Sequence, residues 1–377
     1  MANNHITIKP FPTEDPEFPF VSDKFISKDA AGNRYIGTVE PLCPVREFRY
    51  DGATRTGWFA PPDGGDGGEK LVKGKPIAAY IADENLKEIV RLVQILRRPI
   101  LLKGEPGSGK TQLAKSVAFD WYGDHYKEHF FEWQVKSTSR AIDGLYHFDH
   151  VARLRDAQLS KNGSDVEKED MTKYRTFGPL AKAFLTSTAE APSILLIDEI
   201  DKADIDFPND LLLELDEGRF TIPESETGEV IEARYPPIIF ITSNDERELP
   251  EAFLRRCLFM YIRFPSDEQV VRIIDAHIPG LVKNQRSFVD KAISVFHSLR
   301  QRIAENPADN KRVSTSELLD WLLAYNYDVN NGHISDPEKD LDQLPLYYQA
   351  LLKTQAAVQR EKKLEERQSK ATDSTIP

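Results

Sequence analysis

The chain of 377 residues predicts an α/β fold: a parallel sheet sandwiched by helices, followed by a smaller helical layer. Three observations predict it. Between Asp83 and residue 265, short apolar runs alternate with stretches of helical periodicity. From Ser266 onward the helical pattern continues without strand candidates. The first apolar run also passes through a glycine-rich loop directly into a helix. Apolar strands separated by helices imply a parallel sheet with both faces covered.

Residues 1–75 read as an N-terminal extension, rich in proline, glycine and aromatics. Within it REFRYDGATRTGWFAP predicts two short strands joined at Asp51-Gly52, a pairing that accepts positive φ at little cost. PPDGGDGGEK, from Pro61 to Lys70, reads as a flexible loop or linker. Residues 76–265 are the expected α/β domain. In DENLKEIVRLVQILRRP the residues Leu86, Ile89, Val90, Val93 and Leu96 recur at helical spacing, and Pro99 stops the helix. ILLKG then follows as an apolar strand, with FEWQVK, SILLIDE, IIFITSN and FMYIRF as the further strands. Residues 266–335 predict helices, for example SFVDKAISVFHSLRQRI and STSELLDWLLAYN. Residues 336–377, which include LLKTQAAVQREKKLEERQSK, read as a charged helical tail, solvated or loosely docked.

Composition narrows the classes of function. A hydrophobic fraction of 40% supports a substantial core. The net charge of −12 counts against general binding of nucleic-acid backbones, which needs a basic surface. Cys43 and Cys257 form no spaced cluster, so neither a disulfide framework nor a zinc site is indicated, and a reduced, cytoplasmic setting is expected. The N-terminus lacks a leader pattern, and no run of about 18 apolar residues could span a membrane. His125 and His129 have helical spacing, but no glutamate or third ligand accompanies them, so they read as surface residues.

The chemistry concentrates at strand ends. GEPGSGKT, Gly104 to Thr111, matches G-x-x-x-x-G-K-[ST] between a strand and a helix. Its glycines let successive N–H groups turn into one concavity that holds phosphates at a helix N-terminus. Gly104, Glu105, Pro106, Gly107, Ser108, Gly109, Lys110, Thr111 and Gln112 are therefore candidates for binding a nucleotide. Lys110 would reach the phosphates and the Thr111 hydroxyl would ligate Mg²⁺. Further along, SILLIDE carries an apolar run into Asp198-Glu199. Two carboxylates ending a buried strand need a cation or water to face: Asp198 suits Mg²⁺, and Glu199 suits the base that polarises an attacking water. IIFITSN ends at Asn244, which would orient that water or, more plainly, form a turn.

This order of motifs resembles the MoxR-like branch of the AAA+ ATPases over residues 80–321, from YIADENLKEIVRLVQILRRPILLKGEPGSGKTQLA through ILLIDEIDKADIDFPNDLLLELDEGRFTIPE to RVSTSELLDW. The resemblance implies an AAA+ core and helical lid. In it Gly104–Thr111 is the Walker A loop, Asp198 and Glu199 are Walker B, and Asn244 is sensor 1. RFTIPESETGEV then corresponds to a hairpin inserted before sensor 1, and the region after WQVK to a helix with an insert facing a central pore. It also implies a role for Arg255 and Arg256, which stand in the apolar stretch LPEAFLRRCLFMYIRF with only Glu251 as a nearby acid. Arg256 matches the arginine that reaches a neighbouring subunit's ATP; the division of labour with Arg255 stays open. Arg312, with Lys311 competing, matches the sensor-2 cation. The implied activity is ATP hydrolysis in a homo-oligomeric ring, a hexamer, that remodels a protein client such as a von Willebrand factor A protein. A nucleic-acid motor or loader and an ATP-gated switch are the alternatives.

Overall fold

The computed structural model describes residues 80–160, 171–224, 228–305, 313–342 and 344–373, together with three short strands between residues 8 and 37. By its contacts the chain divides into residues 1–46 and 47–377. In the first unit β1 (Ile8–Pro10), β2 (Ile26–Lys28) and β3 (Arg34–Gly37) form an antiparallel sheet in the order β1-β3-β2. The strand pair expected around Asp51-Gly52 lies outside the described residues.

The second unit opens with α1 (Glu84–Leu96), capped by Asp83, whose side chain accepts the Leu86 N–H at 2.8 Å. Leu86, Val90 and Val93 form its buried stripe, and Arg97 ends the helix in the left-handed conformation, two residues before Pro99. Then come β4 (Ile100–Gly104), α2 (Lys110–Tyr122), α3 (Tyr126–His129) and β5 (Phe130–Gln134). An excursion follows through α4 (Ala141–Leu145), β6 (Tyr146–Phe148), α5 (His150–Ser160) and β7 (Arg175–Phe177), with β6 and β7 antiparallel. The chain returns through α6 (Pro179–Thr186) to β8 (Ile194–Asp198), α7 (Phe207–Asp210) and α8 (Leu212–Glu217). A second hairpin, β9 (Arg219–Ile222) with β10 (Glu229–Glu232), precedes β11 (Ile238–Ser243), α9 (Glu251–Leu254) and β12 (Leu258–Ile262).

The five parallel strands run in the order β12-β4-β11-β8-β5. The α/β architecture that the apolar runs predict is therefore the one formed. Every residue of β8 and β11 is buried, as expected for strands covered on both faces, whereas the edge strands β5 and β12 are partly open. One face is covered by α1 and α2, through Val90, Val93, Leu113 and Val117. The other packs against α6 and the excursion, through Leu180, Phe184, Trp133 and Phe207.

After the sheet come α10 (Asp267–His277), α11 (Leu281–Asn284), α12 (Arg286–Ala304), α13 (Thr315–Asn330), α14 (Pro337–Asp340), α15 (Tyr348–Leu351) and α16 (Gln355–Asp373). Their common core holds Phe288, Phe296, Trp321 and Tyr325, all but fully buried. Of the two expectations for the tail, solvated or loosely docked, its contacts agree with docking. Leu341, Leu351, Leu352 and Ala357 are buried in the same core, and Arg302 holds the buried Glu361 through two bonds of 3.1 and 2.8 Å. The apolar residues at and ahead of the start of the charged run dock it, with Glu361 buried and Lys362 and Lys363 exposed.

Candidate functional site

Strand register builds the site. Lys103 of β4 stands opposite Ser243 of β11, and Ile241 of β11 stands opposite Ile197 of β8. Gly104, Asp198 and Asn244 thus emerge together at the carboxyl edge of the sheet, where open α/β sheets bind their ligands.

From Gly104 the chain turns through Gly107 (φ +73°) and Gly109 (φ +89°) into α2. Gly107 cannot be replaced cheaply: a Cβ there would lie 2.4 Å from the Ser314 Cβ, at the start of α13. The Lys110 ammonium donates to the loop's own carbonyls at Gly104 (2.8 Å) and Glu105 (2.9 Å). Burial pushes its pKa below the usual lysine value, against the opposing pull of Asp201, Asp198, Glu199 and Glu105.

A compact network joins the three strand ends. The Thr111 hydroxyl donates to Asp198 Oδ1 at 2.8 Å, and the Thr242 hydroxyl donates to the same oxygen at 2.7 Å. Thr242 Oγ1 in turn accepts the Glu199 N–H at 2.8 Å, which helps hold Glu199 in the left-handed region (φ +60°). Such a conformation costs a non-glycine residue about 1 kcal/mol and persists where the surroundings impose it. Glu199 Oε1 accepts from Asn244 Nδ2 at 3.2 Å, and Oε2 accepts from Lys202 Nζ at 2.5 Å. The bond to Glu199 raises the pKa of Lys202. Asp201, 2% exposed, accepts the backbone N–H groups of Asn244 and Glu246, each at 2.9 Å. It thereby ties the turn after β11 to the turn after β8.

The structure thus brings together Lys110, Thr111, Asp198, Glu199 and Asn244. Thr242, Asp201 and Lys202 were missed. The sequence signal was present, since Thr242 lies in the strand IIFITSN and Asp201-Lys202 follow Asp198-Glu199 after one residue, but nothing in it assigned Thr242 and Asp201 their partners 43 to 45 residues away, or Lys202 its bond to Glu199. Arg255 and Arg256 stand elsewhere. Arg255 pairs with Glu251, its side chain 72% exposed, while Arg256 pairs with Asp216 of α8. Asp216 corrects the expectation that Glu251 is the only acid nearby. Arg312 and Lys311 lie outside the described residues.

Beside the loop lies a cavity of about 1440 Å³ whose walls include Tyr80, Ile81, Gln112, Met260, Phe264 and Leu319. Burial, helped by Asp83, raises the phenol pKa of Tyr80. The residues fit a nucleoside phosphate. The cavity offers apolar walls next to glycine backbone, and the buried hydroxyls of Ser108 and Thr315, which both line it, have no hydrogen-bond partner among the described residues. They fit Mg²⁺ as well. Thr111 and Asp198 share one point, and no group of three metal-ligating side chains occurs among the described residues. A site with few protein ligands suits an ion that takes its remaining oxygens from phosphates and water.

Residues 99–257 match the family model of the AAA domain, dynein-related subfamily. No curated protein matches the chain. No helix among the described residues is long and apolar enough to cross a membrane.

Proposed function

We propose that this chain, an AAA-domain protein and so a P-loop ATPase in general type, hydrolyses ATP in a ring of its own copies to remodel a partner protein. The observation that carries the reading is the network from Thr111 through Asp198 and Thr242 to Glu199 and Asn244. It sets a hydroxyl–carboxylate pair beside a carboxylate–amide pair at one sheet edge. The MoxR-like branch, the hexamer and a von Willebrand factor A client follow from the resemblance of the motifs.

In this reading the loop amides and Lys110 bind the phosphates, with Lys110 leaving the carbonyls of Gly104 and Glu105 to do so. Thr111 and Asp198 would hold Mg²⁺, which when bound offsets negative charge on the phosphate oxygens. Glu199 takes a proton from water, and Asn244 fixes the carboxylate for that task. Arg256 acts on the ATP of a neighbouring copy. Its pair with Asp216 is exposed, and such pairs contribute about 0–1 kcal/mol, whereas arginine fingers in other NTPases supply about 10³–10⁵ in rate. The pair is a resting place that a bound neighbour outcompetes.

A second reading, an ATP-gated switch with little turnover, draws on the engagement of both Glu199 oxygens. Lys110→Ala and Glu199→Gln separate the possibilities. For a hydrolase, the first variant loses ATP binding with its fold intact, and the second binds Mg-ATP as the parent does but releases phosphate slowly. A parent as slow as Glu199→Gln would favour the switch. Undiminished ATP binding by Lys110→Ala would remove the nucleotide assignment.

A further inference from the structure

We propose that Arg300 is a positioning residue for the phosphate loop, bracing Glu105 against the start of α13 so that loop geometry and helical-layer position change together. The proposal rests on the reading of Gly104–Thr111 as the nucleotide site.

Arg300 projects from α12 and lies over the Phe264 ring, 4.1 Å from its centroid. One arm of its guanidinium donates to the Val313 carbonyl, and the other donates to Glu105 Oε2. These partners are 13 and 195 residues away in sequence, so the side chain joins three separate segments at one point. Its side chain is 15% exposed and that of Glu105 is 24% exposed, which shields the pair more than a surface ion pair. The planar fork is what allows one cation to serve two oxygens while stacking on a ring, and a lysine cannot copy it.

The location distinguishes this contact from a general staple between layers. Val313 directly precedes Ser314, and Ser314 packs on Gly107 with no room for a Cβ. The loop is therefore held at Gly107 by Ser314 and at Glu105 by Arg300, whose other arm holds Val313, the neighbour of Ser314. Glu105 also offers the carbonyl that holds Lys110 at 2.9 Å. A shift of α12 and α13 pulls on Glu105, and a shift of Glu105 moves an oxygen that Lys110 must leave to meet phosphate. Loop and helices are mechanically one unit through Arg300.

A double-mutant cycle on the full chain tests this, using Arg300→Gln, Glu105→Gln and the double variant, with Arg300→Lys as the conservative control. Two quantities are read: amide exchange of residues 104–109 without nucleotide, and KM and kcat for ATP. Each single variant should speed loop exchange about tenfold and raise KM about five- to tenfold, with a smaller change in kcat. The double variant should be no worse than either single, and Arg300→Lys should recover part of the loss. Additive effects on exchange would overturn the brace, as would an unchanged KM in an otherwise active enzyme. A purely structural contact would lower the melting temperature and leave KM alone. If Arg300→Gln does not fold, Glu105→Gln with Arg300→Lys supplies the same comparison. If the parent neither binds nor hydrolyses ATP, the nucleotide reading falls, and the exchange cycle still decides whether the brace exists.

Discussion

Cys257, 9% exposed at the end of the stretch that carries Arg255 and Arg256, allows a test at the scale of the residue. Burial, with Arg98 lowering and Asp216 raising, pushes its thiol up to about 12. The folded pKa exceeds the unfolded one, so this contribution to stability is complete below the ordinary thiol value and is lost as pH rises towards 12. Thiol reagents at pH 8 should therefore leave Cys257 unmodified in the native protein and label it on unfolding, read by mass spectrometry of its peptide. Rapid labelling of native Cys257 would contradict the buried position assigned to it. Among the site residues, Lys110, Thr111, Asp198 and Glu199 were legible as a group because each stands in a local pattern that depends on spacing alone. Asn244 was ambiguous, since an asparagine after a strand forms turns as readily as it orients a carboxylate; its 3.2 Å bond to Glu199 is a contact between neighbouring strand ends. The Arg256–Asp216 and Arg300–Glu105 pairs join residues 40 and 195 positions apart, and no periodicity announces such partners.

At the scale of elements, helices and strands with strong periodicity were legible, because burial on one face or two imposes period and composition together. The central strands β4, β8 and β11 and the helices α1, α12 and α13 are of this kind. The hairpin β9–β10 was legible through resemblance alone, as its strands are only four residues each. The end of the chain was left between two readings, because its run of charges suits a solvated helix as well as a loosely docked one; Leu341, Leu351 and Leu352 supply the apolar surface that docks it. Leu351, 1% exposed, reports on that docking. Leu351→Ala should destabilise the helical layer by about 2–5 kcal/mol through lost burial and the cavity left behind. Chemical denaturation followed by Trp321 fluorescence would measure it. A loss below about 0.5 kcal/mol, typical of surface substitutions, would return the segment to the solvated class.

For the whole molecule, the role proposed for Arg256 makes one chain incomplete. The site at the sheet edge brings together Lys110, Thr111, Asp198, Glu199 and Asn244, but Arg256 bonds to none of them; it rests on Asp216. The parallel sheet was legible in outline, while the proposed assembly rests on resemblance, because a residue that acts on another copy leaves no trace in its own chain's contacts. The central claim is that ATP is hydrolysed at a site that two copies complete. The most direct test is to mix Arg256→Ala chains with Glu199→Gln chains under conditions in which subunits demonstrably exchange, and to follow phosphate release. Each variant alone should bind ATP and turn over slowly, the arginine variant because fingers contribute about 10³–10⁵ in rate. The mixture should recover part of the parental rate, since an intact Glu199 can then meet an intact Arg256 from the next copy. A mixture as inactive as its components, or Arg256→Ala chains that hydrolyse ATP at the parental rate, would contradict the account.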